Sequence, residues 1–540
     1  MSAAQASDIQ HQIMWNRLIA IVEEQAQTLL RTAFSPIVRE AGDLSAGVFD
    51  CEGRMLAQAV TGTPGHVNSM AESVKHFIEH FSLDTMREGD AYITNDPWMG
   101  TGHLNDFVIT TPCFHRGELI GLFSCTSHLI DIGGIGFGPE ATDVFMEGLY
   151  IPMLKIIDQG EVNQTLLDVI RANTRLPVDT VGDTYALMAC NEVGCERLTE
   201  MMEEFNLTDL NALGSFIFER SEQAVLDEIA RLPKGSWSNT MITDGYEEPV
   251  ALTATVTVSD DRMHVDFEGT DSVSGRGINV PMAYTTAYSV FGLSCIVAAK
   301  IPKNAGSLKP LTVSAPEGCI LNAPKPAPVC SRHVIGQMLP DVVFGCLHQA
   351  IPERVPAEGT SCIWNLNVRG RVNSGSGGAY GFSMAFTSNG GTGARPEADG
   401  LSATAYPSGV KGTPVEIAEQ ITPLIFWRKE YRPDSAGTGR MRGGFGQEIE
   451  LSSRIGESFE LLAAYDRIDH PARGRDGGEN GAAGSVSLKS GVKLKGKGFL
   501  TIPADDRLVI HTPGGGGLGD ASKRDSERIA YDIDSGLINN

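Results

Sequence analysis

The stretch that most limits how this chain can fold lies between residues 95 and 134. Asn95-Asp-Pro-Trp-Met-Gly-Thr-Gly-His103-Leu-Asn-Asp106 leads into an apolar run from Phe107, a polar Arg116-Gly117 break, and a second apolar run ending at Ser127. His128-Leu-Ile-Asp131-Ile-Gly-Gly134 follows directly. Two β-prone stretches flanking a turn predict a hairpin, and a hairpin brings its ends together. His103 and Asp106 at the entrance then lie near His128 and Asp131 at the exit. Two imidazoles and a carboxylate with coordination positions left open form a two-His-one-carboxylate face, suited to a divalent Zn, Mn or Fe. Asp131 or Asp96 then remains to orient a ligand or move a proton. Histidine is scarce, 12 in 540 residues, so two in these short segments weigh toward a metal. The plainer alternative is a set of hydrogen-bonded loop residues beside glycine-rich turns.

Around this window, Asn95-Asp-Pro, Gly102-His-Leu-Asn-Asp106, His128-x-x-Asp-Ile-Gly-Gly134 and Thr512-Pro-Gly-Gly-Gly-Gly-Leu-Gly-Asp520 resemble the B-type subunit of the hydantoinase/oxoprolinase family. Arg31-Thr-Ala-Phe-Ser-Pro36 with Arg39, Glu40 and Asp43, Asn173-Thr-Arg175 with Asn191, Asp266-Phe-Glu-Gly269, Pro433-Asp-Ser435 and Arg440-Met-Arg-Gly-Gly-Phe-Gly446 follow in the family's order. The likeness spans roughly residues 8–535. Two departures stand out: Gly100-Thr-Gly-His103 where the family often has Gly-Gly-Thr-His, and His128-Leu129 where it often has His-His. Both leave the proposed ligands in place.

The resemblance implies an activity. In such families an A-type subunit with an acetate-kinase-like ATP fold phosphorylates a carbonyl or carboxylate oxygen, and the B-type subunit completes the reaction. A cyclic amide is a poor electrophile; its O-phosphorylated form carries a good leaving group and yields to a water whose pKa a metal lowers. His103, Asp106 and His128 then hold the metal, with Asp131 and Asp43 as orienters or proton carriers. The resemblance puts the acidic block of Glu40 and Asp43 near the metal-bearing loops. His66, in Thr63-Pro-Gly-His66, either caps a helix or faces the same cavity. Asn173, Arg175 and Asn191 either bind substrate oxygens or an acyl phosphate, or make ordinary structural hydrogen bonds. A related ketone carboxylase, which activates bicarbonate and stabilises an enolate at the metal, uses the same parts differently. A metal-stabilised scaffold for the A-type subunit is a third reading.

Composition agrees with a large subunit of a heteromer. A chain of 540 residues exceeds one hydrophobic core. We expect a mixed α/β (α+β) protein of several subdomains: a metal-bearing catalytic region over 1–235, a central α/β region with glycine-rich loops over 236–420, and a β-rich region over 421–540. The formal charge of −24 argues against nucleic acid and anionic membranes as partners. The start lacks a signal-like pattern and no apolar run approaches a membrane span, so a cytoplasmic location is expected. Ten cysteines without a Cys-x-x-Cys pair read as thiols. Cys330, before Ser331-Arg-His333, reads as a packed loop cysteine in preference to a nucleophile.

Elsewhere, Met14, Leu18, Ile21, Val22 and Leu29 recur at helical spacing over 8–32, ended by Pro36, and their stripe packs on the chain's own body or on a second subunit. A hairpin is expected over 43–58, helices near 63–81, 166–205, 281–300 and 331–350, and a second hairpin joining 250–258 to 263–267. Strands are expected at 449–452, 459–465, 484–489 and 508–512. The glycine-rich stretch 373–399 reads as a long irregular connection unless Arg395 or Asp399 lines the cavity. Pro513-Gly-Gly-Gly-Gly-Leu-Gly519 lacks the Lys-Ser/Thr of a P-loop. No nucleotide site is therefore expected on this chain, and ATP with its Mg belongs to the partner subunit.

Overall fold

In the computed structural model, which describes residues 3–60, 62–374 and 378–539, the expected hairpin is the centre of the N-terminal half. α1 (Ala3–Thr32) and the short α2 (Pro36–Arg39) precede β1 (Leu44–Phe49) and β2 (Met55–Gln58). α3 (Pro64–Phe81) leads to β3 (Ala91–Thr94), β4 (Asp106–His115) and β5 (Glu118–His128). β6 (Leu154–Asp158) and β7 (Glu161–Val162) are followed by α4 (Gln164–Asn173), α5 (Pro177–Glu204) and α6 (Asn211–Ala230). The seven strands make one antiparallel sheet in the order β2-β1-β5-β4-β3-β6-β7.

Register carries the site. Asp106 at the start of β4 stands directly opposite His128 at the end of β5. β1 lies along the other edge of β5 with Leu44 opposite Ser127, so Asp43 comes alongside His128, whose N–H donates to the Asp43 carbonyl at 3.1 Å. Successive residues on a strand point to opposite faces, and both faces here are covered. Val48 and Phe123 pack with Leu18 and Val22 of α1 and Leu198 and Met201 of α5. Their neighbours Phe49 and Leu122 pack with Met70, Val74 and Phe77 of α3. The apolar stripe of α1 is thus buried within the chain, and β1, β4 and β5 are almost wholly buried.

The single helical stretch expected over 166–205 is two helices, because Pro177 starts α5 and forces the chain out of helix just before it. Asn191 of α5 is structural. Its amide donates to the Ile109 carbonyl at 3.0 Å and the Thr111 hydroxyl at 3.2 Å, and its oxygen accepts from Gln25 of α1 at 2.7 Å.

Beyond residue 234, β8 (Gly235–Thr243), β9 (Val250–Val258) and β10 (Met263–Asp266) precede α7 (Met282–Val297), α8 (Ala305–Leu308) and β11 (Leu311–Ser314). The sheet order is β11-β10-β9-β8. β9 alternates buried and half-buried residues, as one covered face requires. Helix was expected across 331–350; α9 (His333–Gly336) and α10 (Leu339–Leu347) divide it, with Pro340 in the first turn of α10.

The glycine-rich stretch corrects one expectation. Instead of a long irregular connection, β12 (Leu366–Ser374) and β13 (Gly378–Phe386) pair as an antiparallel hairpin; the centre of the Ser374–Gly378 motif, 375–377, lies outside the described residues. With β14 (Leu424–Tyr431), β15 (Gln447–Ser453), β16 (Phe459–Ala464), β17 (Ser485–Leu488), β18 (Lys497–Ile502) and β19 (Leu508–His511), these strands form two four-stranded sheets, β13-β12-β16-β18 and β14-β15-β19-β17. The mixed α/β, multi-subdomain class and the β-rich C-terminal part are as the sequence implies.

The run after Pro513 is packed backbone against backbone. The N–H groups of Gly514, Gly515, Gly516, Gly517 and Leu518 donate to carbonyls of Ala482, Gly444, Glu358, Glu479 and Met441, at 2.8–3.0 Å. The donors a phosphate would need are already engaged. Their lack of side chains is steric: a Cβ on Gly515 would stand 1.9 Å from the Thr392 carbonyl oxygen. Gly515→Ala should therefore lower stability by about 3 kcal/mol or more, an overpacking cost against backbone that cannot move aside. Gly275→Ala, where nothing lies within 4 Å, should leave the unfolding midpoint within a degree or two, and thermal unfolding of the two variants checks the contrast.

Candidate metal centre

Asp106 is completely buried, and four separated segments converge on it. Its Oδ1 lies 2.7 Å from His103 Nε2 and 3.2 Å from His128 Nδ1. Its Oδ2 accepts from the Thr101 hydroxyl at 2.7 Å and from Arg332 at 2.6 Å, and lies 3.0 Å from His66 Nε2. The hairpin supplies Asp106 and His128, the loop before β4 supplies Thr101 and His103, the first turn of α3 supplies His66, and Arg332 arrives from just before α9. Arg332 is fixed in turn by the Thr101 carbonyl at 2.7 Å and by the Tyr284 ring, 4.1 Å from its guanidinium carbon. Gly102, with φ +94°, leaves no room for a Cβ beside the Arg332 side chain.

The electrostatics distinguish the imidazoles. Burial alone would raise the Asp106 pKa, but the charges of His66 and Arg332 hold it well below the usual carboxylate range. His103 is pushed down to about 3, chiefly by burial and then by Arg332. His66 goes the other way: burial opposes its charge, yet Asp106 and Asp43 together raise its pKa. His333, buried nearby with its ring 5.6 Å from Phe137, is held well below the ordinary histidine value by burial and by Arg332.

The donor set fits a cation. His103 Nδ1 lies 2.9 Å from the Cys330 carbonyl oxygen, which can only accept, so Nδ1 carries the proton and Nε2 of the neutral ring is a bare lone pair. That lone pair faces an ionised carboxylate oxygen at 2.7 Å. Two acceptors at this separation need a positive charge between them, and the surroundings of His103 disfavour a proton there. The candidate ligand atoms of His103, Asp106 and His128 all lie within 4.8 Å of one another, two nitrogens and one oxygen of the kind Zn, Mn or Fe accept.

The other expected residues divide between two cavities. One, of about 30 Å³, is lined by Asp43, His66, His103, His128, Arg332 and His333. Here Asp43 Oδ1 stands 3.6 Å from His66 Nδ1. The other, of about 20 Å³, is lined by Asn105, His128, Asp131, Glu147, Arg175 and Arg369. Phe137 lines both. Asp131 is removed from Asp106; its Oδ1 pairs with Arg175 at 2.8 Å and its Oδ2 accepts from the Arg175 N–H. Asn173 lines neither cavity; it is exposed and its amide donates to the Val169 carbonyl of its own helix at 2.8 Å. Asp96 caps the turn at Trp98 and accepts from the Tyr150 hydroxyl. Asp399 accepts from Arg524 at 2.8 Å, and Arg395 donates to the Asp399 carbonyl at 2.8 Å, away from both cavities. Cys330 is buried and burial drives its thiol pKa well up, the setting of a packed loop cysteine.

Arg332 and Glu147 escaped sequence reasoning. Arg332 lies more than two hundred residues from Asp106, beside a cysteine and a histidine that drew attention instead, and Glu147 stands in no motif.

Comparison with known proteins covers the whole chain. The Hydantoinase B/oxoprolinase family model matches residues 7–521. The chain is 28% identical to 5-oxoprolinase 1 of Arabidopsis thaliana over 95% of its own length and 42% of the plant protein. It superposes on the crystal structure of the ATP-dependent caprolactamase from Pseudomonas jessenii with a TM-score of 0.90 and 26% identity, covering 98% of this chain and 94% of that one. It shares its fold with an acetone carboxylase chain, with a TM-score of 0.85 and 19% identity over 98% of this chain and 78% of that one.

Without metal, Asp106→Asn should destabilise the protein by about 3–5 kcal/mol at pH 7, because Arg332 is left buried without its counter-charge. The sign with pH follows from the lowered pKa. The wild-type carboxylate contributes fully above the ordinary range near 4 and its contribution is lost as pH falls through the depressed folded value. Chemical unfolding of chelator-treated protein from pH 7 to pH 2 should therefore show the gap between variant and wild type closing only in strong acid.

Proposed function

The chain belongs to the hydantoinase B/oxoprolinase family, and from that premise we propose that it is the B-type subunit of an ATP-dependent cyclic-amide hydrolase. An A-type partner activates the ring carbonyl by phosphorylation, and this chain opens the ring. The substrate class is a hydantoin, oxoproline or lactam. The observation that carries the reading is His103 Nε2 standing 2.7 Å from the Asp106 carboxylate, with His128 beside both. These three residues would hold one divalent cation, Zn, Mn or Fe. When bound, the cation supplies Lewis acidity, polarising the carbonyl oxygen and lowering the pKa of a nearby water.

The remaining roles belong to the chain's own side chains. Arg332 and Thr101 fix Asp106 so that Oδ1 stays aimed at the two imidazoles. His66, raised in pKa between two carboxylates, and Asp43 make a pair able to hold or pass a proton at His66 Nδ1, which has no hydrogen-bond partner among the described residues. Asp131 and Arg175 line the second cavity and meet the polar end of the substrate. A substrate the size of a lactam ring needs the joined space of both cavities, with the Phe137 side chain swung aside. Phe137 lies between Gly136, at φ +102°, and Gly138. The likeness to a caprolactamase supports ring opening. ATP is assigned to the partner because the glycine run after Pro513 has no free donors for phosphate.

The test is to assemble the chain with its A-type partner and follow ADP release with hydantoin, 5-oxoproline and caprolactam, and separately with small ketones plus bicarbonate, identifying each organic product. A ring-opened acid formed with ATP consumption is expected. A β-keto acid formed only from ketone and bicarbonate overturns the hydrolase in favour of a carboxylase. His103→Ala should abolish ring opening, by at least ~10³-fold, while size-exclusion chromatography shows the complex intact; unchanged turnover would mark the chain as a scaffold.

A further inference from the structure

Glu147 belongs to none of the groups assigned above. It follows the short turn Val144–Met146, which Asp143 caps by accepting from the N–H groups of Phe145 at 2.9 Å and Met146 at 3.2 Å. Its loop is laced to the one after β5: the Leu149 N–H donates to Ile132 at 2.8 Å and the Ile135 N–H to Met146 at 3.0 Å. The carboxyl is 2% exposed. Its Oε1 accepts the N–H groups of Val329 at 2.6 Å and Cys330 at 2.7 Å. Its Oε2, equally buried, has no hydrogen-bond partner among the described residues. The same residue lines the cavity shared by Asn105, His128, Asp131 and Arg175.

An ionised oxygen buried without a donor is costly, whereas a neutral acid at this place has an O–H to give. Burial pushes the Glu147 pKa up to about 8, against the two backbone N–H groups; Asp143 adds to the rise and Arg332 opposes it. Asp131, Arg175, Arg369 and His128 are further titratable or charged groups on the same cavity.

We propose that Glu147 is the acid that protonates the departing ring nitrogen, with its unpartnered Oε2 as the proton-bearing atom. This role rests on the cyclic-amide hydrolase reading. Water adds to the activated carbon and gives up its protons, one to the ring nitrogen and one to solvent. The added oxygen then forms the new carbonyl as the C–N bond breaks and that bond's electron pair stays on nitrogen. This leaves an acyl phosphate, from which a second water releases inorganic phosphate. The Oε2–H bond breaks and its proton passes to that nitrogen. Glu147 is left as a carboxylate, which takes a proton back from the next water admitted. The group is suited to this because Oε1 is already anchored, so the acid is held in one orientation.

Glu147→Gln tests it, since the amide oxygen can still accept from Val329 and Cys330 while the amide has no acidic proton. Two readouts are needed. In the isolated chain, infrared difference spectra titrated from pH 6 to pH 10 should show a protonated-carboxyl band that disappears near pH 8 and is absent from E147Q. In the assembled enzyme, with whichever of hydantoin, 5-oxoproline or caprolactam the wild type opens, E147Q should lower kcat at least ~10²-fold with metal content unchanged, and should lose the alkaline limb of the wild-type pH profile. Wild-type turnover equalled by E147Q, or a chain without that band, overturns the role of Glu147 alone. A wild type that opens none of the three rings overturns the hydrolase reading and this role with it, even if the band is present.

Discussion

A fully buried carboxylate must be surrounded by donors or cations, and the requirements of Asp106 organise the N-terminal half of this protein. Thr101, Arg332, His66, His103 and His128 all reach it, from a loop, a strand end, a helix start and a segment in the middle of the chain. Three of these contacts are made by imidazoles that Asp106 does not treat alike. His103 is neutral and offers a lone pair, whereas His66 is held toward its charged form. The arrangement keeps a negative charge in the interior while leaving one side of it unneutralised by protons. The proposed divalent cation would meet that need.

The rest of the fold serves to hold these groups at fixed distances. Antiparallel pairing puts Asp106 opposite His128, and the adjoining strand brings Asp43 beside His128. Helices on both faces keep the sheet dry. The central region contributes Arg332 and the Cys330 carbonyl, so the site is complete only when residues near 330 are docked on the hairpin. The Glu147 carboxyl clasps that same segment through the Val329 and Cys330 amides, which links the cavity beside His128 to the orientation of His103. The glycine array around 513–519 is a packing device, its backbones too close for side chains.

The hairpin and the convergence of His103, Asp106 and His128 were legible because both depend on local sequence: two apolar β runs, a turn, and chemistry-bearing residues at the ends. The α1 stripe was legible for the same reason, through helical periodicity. What the sequence could not supply were contacts made by distant segments. Asp131 follows His128 by only three residues, yet the chain turns away after β5 and gives it to Arg175. Asn173 shares a motif with Arg175, but it ends a helix and its amide folds back onto that helix. Nothing near Arg332 announces a partner at Asp106, and Glu147 matters only because a buried oxygen happens to lack a donor. The β12–β13 hairpin was obscured by glycines, whose weak strand preference was overridden by pairing with β16.

The central claim, that the cluster around Asp106 holds a divalent cation through His103 and His128, is tested most directly by elemental analysis of the purified full-length chain beside His128→Ala, both prepared without chelators. The account predicts close to one equivalent of Zn, Mn or Fe per chain in the wild type and a large loss in the variant, with both folded by circular dichroism. A wild-type chain that carries no such ion and takes none up on dialysis against Zn, Mn or Fe, or a variant that retains the wild-type content, would contradict it.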